Sequence, residues 1–159
     1  MFLKPDYNLK SIYDIDFEEL KSRGVKVLFF DLDSTIMKSK SGFYTEKTLE
    51  WLDKFQRDFI VAVLSNNFNK DYIEKVQGIS TFDVVGAANK PNPQVLLEFL
   101  QNVRIEPSLA VMIGDRPLTD ILAGKRAGCL TILVDSISAD EEGIPTRCVR
   151  WLERLSIKR

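Results

Sequence analysis

The chain has 159 residues, 45% hydrophobic and 28% charged, the proportions of one globular domain with a continuous core rather than of a disordered or fibrous chain. Its formal net charge of -1 gives no global attraction to nucleic acid, and no nucleic-acid partner is expected. The absence of histidine excludes a Ser-His-Asp triad, a Cys-His dyad and a His-ligated zinc, so chemistry must come from carboxylates, hydroxyls, amines or an oxygen-liganded metal.

Two cysteines, Cys129 and Cys148, are too few for a disulfide framework and lack metal-ligand spacing. They read as buried packing residues in a reducing compartment. The opening MFLKPDYN has no apolar signal core, and no apolar run approaches the ~18 residues that cross a bilayer. The expected location is cytoplasmic, or peripheral on the inner face of a membrane.

After an irregular start, Asp16 and Glu19 form a capping pair for a short helix ending near Gly24. VKVLFF (25–30) is a continuous apolar run, the mark of a strand buried on both faces of a parallel sheet. A polar loop (38–43) leads to a helix from Thr45 to about Arg57, with Leu49, Leu52 and Phe55 at helical spacing. FIVAVL (59–64) is a second buried strand, followed by a helix over 69–77, a weaker strand FDVVGA (82–87), and a helix over 93–102 with Pro93 in its first turn. LAVMI (109–113), a helix over 119–127 and CLTILV (129–134) complete the series, and a last helix begins near Thr146. Strands alternating with helices predict a doubly wound parallel α/β sheet in one domain spanning 1–159.

In such sheets ligands bind beyond the carboxyl ends of the strands, so the residues there form a predicted site. They are Asp31 and Asp33; Ser65, Asn66 and Asn67; Lys90; and Asp115 with Asp120. Each alone reads as an ordinary turn or cap residue, but their joint order along one sheet edge does not. Like charges ~4 Å apart repel by about 4 kcal/mol at an effective dielectric near ~20, so gathered carboxylates call for a cation. Oxygen ligands without His or thiolate suit Mg²⁺. Within FFDLDSTI (29–36), Asp31 and Asp33 point the same way from an extended segment, their Cα atoms ~6.6 Å apart, and can address opposite sides of one small group.

These residues resemble the four motifs of the haloacid dehalogenase superfamily of phosphotransferases: Asp31-Leu-Asp33-Ser-Thr-Ile, Ser65 closing FIVAVLS, Lys90-Pro91, and Gly114-Asp115-Arg-Pro-Leu-Thr-Asp120. The stretch SIYDIDFEELKSRGVKVLFFDLDSTI with LSNN, NKPNP and GDRPLTDILAGKRAG is similar to the YqeG-type class IIIA branch, itself similar to the mitochondrial phosphatidylglycerophosphate phosphatases. Short gaps after the first and second motifs leave no room for a cap domain, and an open site is expected. Ser34 stands where Asn or Gly is usual, and Arg116 occupies a branch-dependent position.

The resemblance implies a Mg²⁺-dependent phosphatase acting through an aspartyl-phosphate. Asp31 would be the nucleophile and Asp33 the general acid and then base. Ser65 and Lys90 would bind the phosphoryl oxygens, with Asn66 helping through its backbone or merely shaping the turn. The metal would sit on the Asp31 carboxylate, the Asp33 carbonyl and the Asp115 carboxylate, with Asp120 orienting Lys90 or a metal-bound water. A receiver-like phospho-acceptor domain is the rival of another class, and Asp33 argues against it because it supplies a base for hydrolysis. The implied substrate is a phosphate monoester on a lipid headgroup, phosphatidylglycerophosphate foremost, with a soluble ester or a phosphorylated macromolecule as alternatives.

The ending RCVRWLERLSIKR (147–159) has five basic residues and one acidic. As a helix it places Val149, Leu152 and Leu155 on one side with Trp151 at the border, and Arg150, Arg154 and Lys158 four apart. Two expectations follow: the apolar side packs on the sheet with the arginines solvated, or the helix rests on an anionic membrane.

Overall fold

The computed structural model describes residues 3–138, 143–155 and 157. Six parallel strands form one sheet: β1 (Tyr7–Asn8), β2 (Val27–Phe30), β3 (Ile60–Leu64), β4 (Asp83–Val85), β5 (Ala110–Gly114) and β6 (Leu130–Leu133). Their order across the sheet is β1-β6-β5-β2-β3-β4. The helices are α1 (Phe17–Ser22), α2 (Glu46–Phe55), α3 (Lys70–Gly78), α4 (Gln94–Val103), α5 (Leu122–Ala127) and α6 (Ile144–Leu155). The connections after β2 and β3 run directly to α2 and α3, with no inserted domain in either.

The unbroken apolar strands follow from burial on both faces. In β2, Leu28 and Phe30 join Val61, Val63, Val111 and Ile113 in a core layer under α1, α2 and α3. Val27 and Phe29 point the other way, onto Ala62, Ala110, Met112 and the α4 residues Leu96 and Leu100. β2 pairs with β3 on one side and β5 on the other, Phe30 lying opposite Val63 and Ile113. The winding reverses at β2, so the chain leaving it enters the crevice where a doubly wound sheet binds its ligand.

Three elements differ from expectation. The irregular start contains the edge strand β1, too short to show periodicity; it is fixed by Asp6, whose Oδ2 accepts from Thr131 N and Oγ1 and from Lys125 Nζ, each at 2.8 Å. The helix expected over 119–127 begins instead with a widened π turn, Pro117–Ile121, before α5. Such turns re-aim a side chain, here Asp120.

The third difference is α6. Glu153 is its one buried residue, whereas Trp151 and Leu152 are 61% and 59% exposed and Val149 and Leu155 are also exposed. The packing expectation is therefore inverted: the charged side faces the domain and the apolar side faces outward. The domain offers this helix carboxylates and Arg116 rather than apolar surface, and Arg150, Glu153 and Arg154 pair with Asp115, Arg116 and Asp135. Cys148 is likewise exposed, against expectation, while Cys129 is buried. Lys158 lies outside the described residues.

Candidate active site

β2 delivers Asp31 into the crevice, where its backbone N–H donates to Ile113 O of β5 at 2.9 Å. The chain then turns sharply: Ser34, with φ of 69°, donates its N–H to Met37 O, and Thr35 is fully buried. This turn sets Asp33 at the rim, where Oδ1 accepts from Lys40 N and from the Tyr72 hydroxyl, both at 2.8 Å. The two aspartates thus line one cavity of about 470 Å³ but have different partners.

Ser65, at the end of β3, is buried on the same cavity, its Oγ accepting from Asn67 N at 3.1 Å. The Asn66 side chain reaches across to Lys90: Nδ2 donates to Lys90 O at 2.8 Å, and Oδ1 accepts from Lys90 N at 2.7 Å. The Lys90 ammonium lies between two carboxylates, 2.6 Å from Asp31 Oδ1 and 2.7 Å from Asp120 Oδ1.

Asp115 leaves the end of β5, 1% exposed, and its Oδ1 accepts from Thr35 Oγ1 at 3.3 Å. The π turn brings Asp120 back so that Oδ2 accepts from Arg116 N at 3.1 Å. Gly114 makes this approach possible, because a Cβ there would collide with the Asp120 carboxylate. Arg150 of α6 pairs with Asp115 Oδ2 and lines the same cavity.

All eight residues predicted at the strand ends, Asp31, Asp33, Ser65, Asn66, Asn67, Lys90, Asp115 and Asp120, gather at one end of the sheet. The Asn66 side chain positions the Lys90 backbone. Among the described residues, oxygens of Asp31, Asp115 and Asp120 lie within 4.8 Å of one another, while the Asp33 carboxylate stands apart from that cluster. Three convergent carboxylates with no nitrogen or sulfur donor fit a hard divalent cation of the Mg²⁺ class. Sequence reasoning missed Thr35, Tyr72 and Arg150. Thr35 sat visibly in DLDST; Tyr72 and Arg150 belong to helices whose facing only packing decides.

Burial chiefly, with repulsion from Asp120, pushes the Asp31 carboxyl up to about 6, and Lys90 limits the rise. For Lys90, burial disfavours the ammonium, but Asp120 and Asp31 outweigh it and raise its pKa. A lysine so held is a fixed positive charge beside a carboxylate that faces an open cavity. That arrangement suits the charge of a phosphoryl group.

Residues 87–147 match the family model described as HAD-hyrolase-like. The chain is 31% identical over 153 residues to the probable phosphatase YqeG of Bacillus subtilis, covering 96% of this chain and 88% of that one. It is 29% identical over 167 residues to the chloroplastic/mitochondrial phosphatidylglycerophosphate phosphatase 1 of Arabidopsis thaliana, covering 99% of this chain but only 48% of that protein. The fold resembles that of a HAD family enzyme from Bacteroides thetaiotaomicron, solved with magnesium and inorganic phosphate. The TM-score is 0.54 at 14% identity, over 78% of this chain and 99% of that one. The match to YqeG along nearly the whole of both sequences places the chain among the YqeG-type phosphatases of the haloacid dehalogenase superfamily.

Proposed function

We propose that the protein hydrolyses phosphate monoesters through an aspartyl-phosphate on Asp31, and that its substrate is the monoester of a lipid headgroup, phosphatidylglycerophosphate. The observation that carries the chemistry is Lys90 joined to Asp31 Oδ1 at 2.6 Å, with Asp33 lining the same open cavity.

In this reading an Asp31 oxygen attacks the phosphorus in line, forming the acyl phosphate as the ester P–O bond breaks. Asp33 gives its proton to the departing alkoxide. It then takes a proton from the water that attacks the phosphorus, which releases phosphate, frees the Asp31 carboxylate and returns Asp33 to its protonated form. Lys90 and the Ser65 hydroxyl hold the non-bridging oxygens, and Asn66 fixes Lys90 by clamping its backbone. Tyr72 and the Lys40 N–H orient Asp33. Asp31, the Asp33 carbonyl and Asp115 would hold Mg²⁺, with Asp120 beside them. When bound, the ion neutralises phosphoryl charge and helps align the substrate. The magnesium and phosphate named for the Bacteroides enzyme support this assignment.

The lipid reading rests on the Arabidopsis relative and on the open rim, where Phe68 lines the cavity at 72% exposure. The rim admits a headgroup still anchored in a membrane surface. No helix among the described residues is long and apolar enough to cross a membrane. The test is Mg²⁺-dependent phosphate release from phosphatidylglycerophosphate in mixed micelles, compared with glycerol 3-phosphate and p-nitrophenyl phosphate. A kcat/KM for the lipid no higher than for the soluble esters rejects the lipid and leaves the phosphatase.

A further inference from the structure

Asp33 is held by one of its two oxygens. The Tyr72 hydroxyl and the Lys40 N–H both donate to Oδ1 at 2.8 Å, and Oδ2 has no hydrogen-bond partner among the described residues. Asp33 lines the cavity, so Oδ2 is the oxygen left for a substrate. A carboxyl group that is to give up a proton carries it on one oxygen, which then has less capacity to accept. With two donors already on Oδ1, the proton belongs on Oδ2.

The two donors come from different elements. Lys40, in the loop after β2 with φ of 56°, contributes through its main chain, which a change of side chain leaves in place. Tyr72 comes from the first turn of α3, and hydrogen bonds tie that turn to the end of β3. Asn67 N donates to Ser65 Oγ at 3.1 Å, Asn69 N to Asn67 Oδ1 at 2.8 Å, and Tyr72 N to Asn69 Oδ1 at 3.1 Å. The Tyr72 ring packs on the core layer, and its hydroxyl also lies 3.5 Å from Met37 Sδ, a much weaker acceptor than Asp33. The segment that carries Ser65 therefore also fixes which oxygen Asp33 presents. The terminal torsion of a carboxylate is broad and two-fold, so one donor would let its oxygens exchange, whereas two donors on separate elements hold it.

We propose that Tyr72 is a positioning residue for the leaving-group proton: it locks Asp33 through Oδ1, so that Oδ2 carries the proton, and thereby fits the enzyme to unactivated alkyl phosphates. The inference rests on the reading of Asp33 as the general acid. As Asp31 bonds to phosphorus and the ester P–O bond breaks, the electron pair of that bond stays on the departing oxygen. This oxygen takes the proton from Oδ2 and leaves as the alcohol. An alkoxide needs that proton to depart, and p-nitrophenolate does not. Selectivity between the two is the quantity Tyr72 controls.

The test uses the full chain in excess Mg²⁺ and follows the first turnover, where release of alcohol or phenol reads phosphoryl transfer to Asp31 apart from the later hydrolysis. Wild type, Tyr72→Phe and Asp33→Asn are compared on glycerol 3-phosphate and p-nitrophenyl phosphate, with a thermal melt of each. Tyr72→Phe keeps the packed ring and removes only the hydroxyl. Its rate on glycerol 3-phosphate relative to p-nitrophenyl phosphate should fall about tenfold, a part of the ~10²- to 10⁴-fold that a positioned acid contributes. Asp33→Asn should lower the same ratio further. A ratio unchanged in Tyr72→Phe, whether both rates hold or both fall together, overturns the positioning role, and Asp33 stays the acid if Asp33→Asn still lowers the ratio. A ratio that Asp33→Asn leaves untouched overturns the acid and this inference with it.

Discussion

Asn66 and Lys90 exchange two hydrogen bonds, the amide of one closing on the backbone N–H and C=O of the other at 2.7 and 2.8 Å. The pair ties the end of β3 to the loop before α4, and so sets where the Lys90 ammonium meets Asp31 and Asp120. Asn66→Ala should leave the fold intact and lower kcat by roughly 10²-fold, the scale of a catalytic group misplaced by about 1 Å. Steady-state kinetics with a circular-dichroism melt check this. An unchanged kcat would show that Lys90 is held well enough without the clamp.

Asp31→Asn should abolish turnover while preserving shape, and its stability carries a second signature. The Asp31 carboxyl has a pKa of about 6 in the fold against 3.8 as a free group, so the folded protein holds this proton more tightly than the unfolded chain. That contribution to stability is fully present below about pH 4 and is lost as pH rises through about 6. In chelator, urea denaturation should show wild type losing up to about 3 kcal/mol relative to Asp31→Asn between pH 4 and pH 7.5. Parallel pH profiles for the two proteins would contradict the raised pKa.

Gly114→Ala should disable the site from within the sheet. The added methyl meets the Asp120 carboxylate, which must then leave Lys90 or the Arg116 N–H. The expected cost is about 1–3 kcal/mol in stability, with a loss of turnover larger than that drop explains. A variant with wild-type kcat at a temperature where it is fully folded would mean that Asp120 need not sit where it does.

Chelation should silence the enzyme and Mg²⁺ should restore it. Ca²⁺ should not, because a larger ion with six to eight ligands disturbs in-line geometry at Asp31. Phosphate release at full rate in excess chelator would remove the metal from the mechanism.

The sequence by itself determined five of the six strands described, all but the edge strand β1, and most of the site. Continuous apolar runs such as VLFF and AVMI identify strands buried on both faces, and the polar residues that end them have only one place to go, the carboxyl edge. Asp31, Ser65 and Asp115 were therefore legible from position alone. Tertiary structure decided which partner each side chain meets, because those partners come from elements whose facing no local pattern specifies. Tyr72 reaches Asp33 across 39 residues, and Asn66 finds the Lys90 backbone across 24. The inversion of α6 shows the reason most directly. Inward packing is one of the two expectations for its apolar stripe, yet the surface it meets presents Asp115, Asp135 and Arg116, and ion pairing with those groups turns the charged side in and leaves Trp151 and Leu152 exposed.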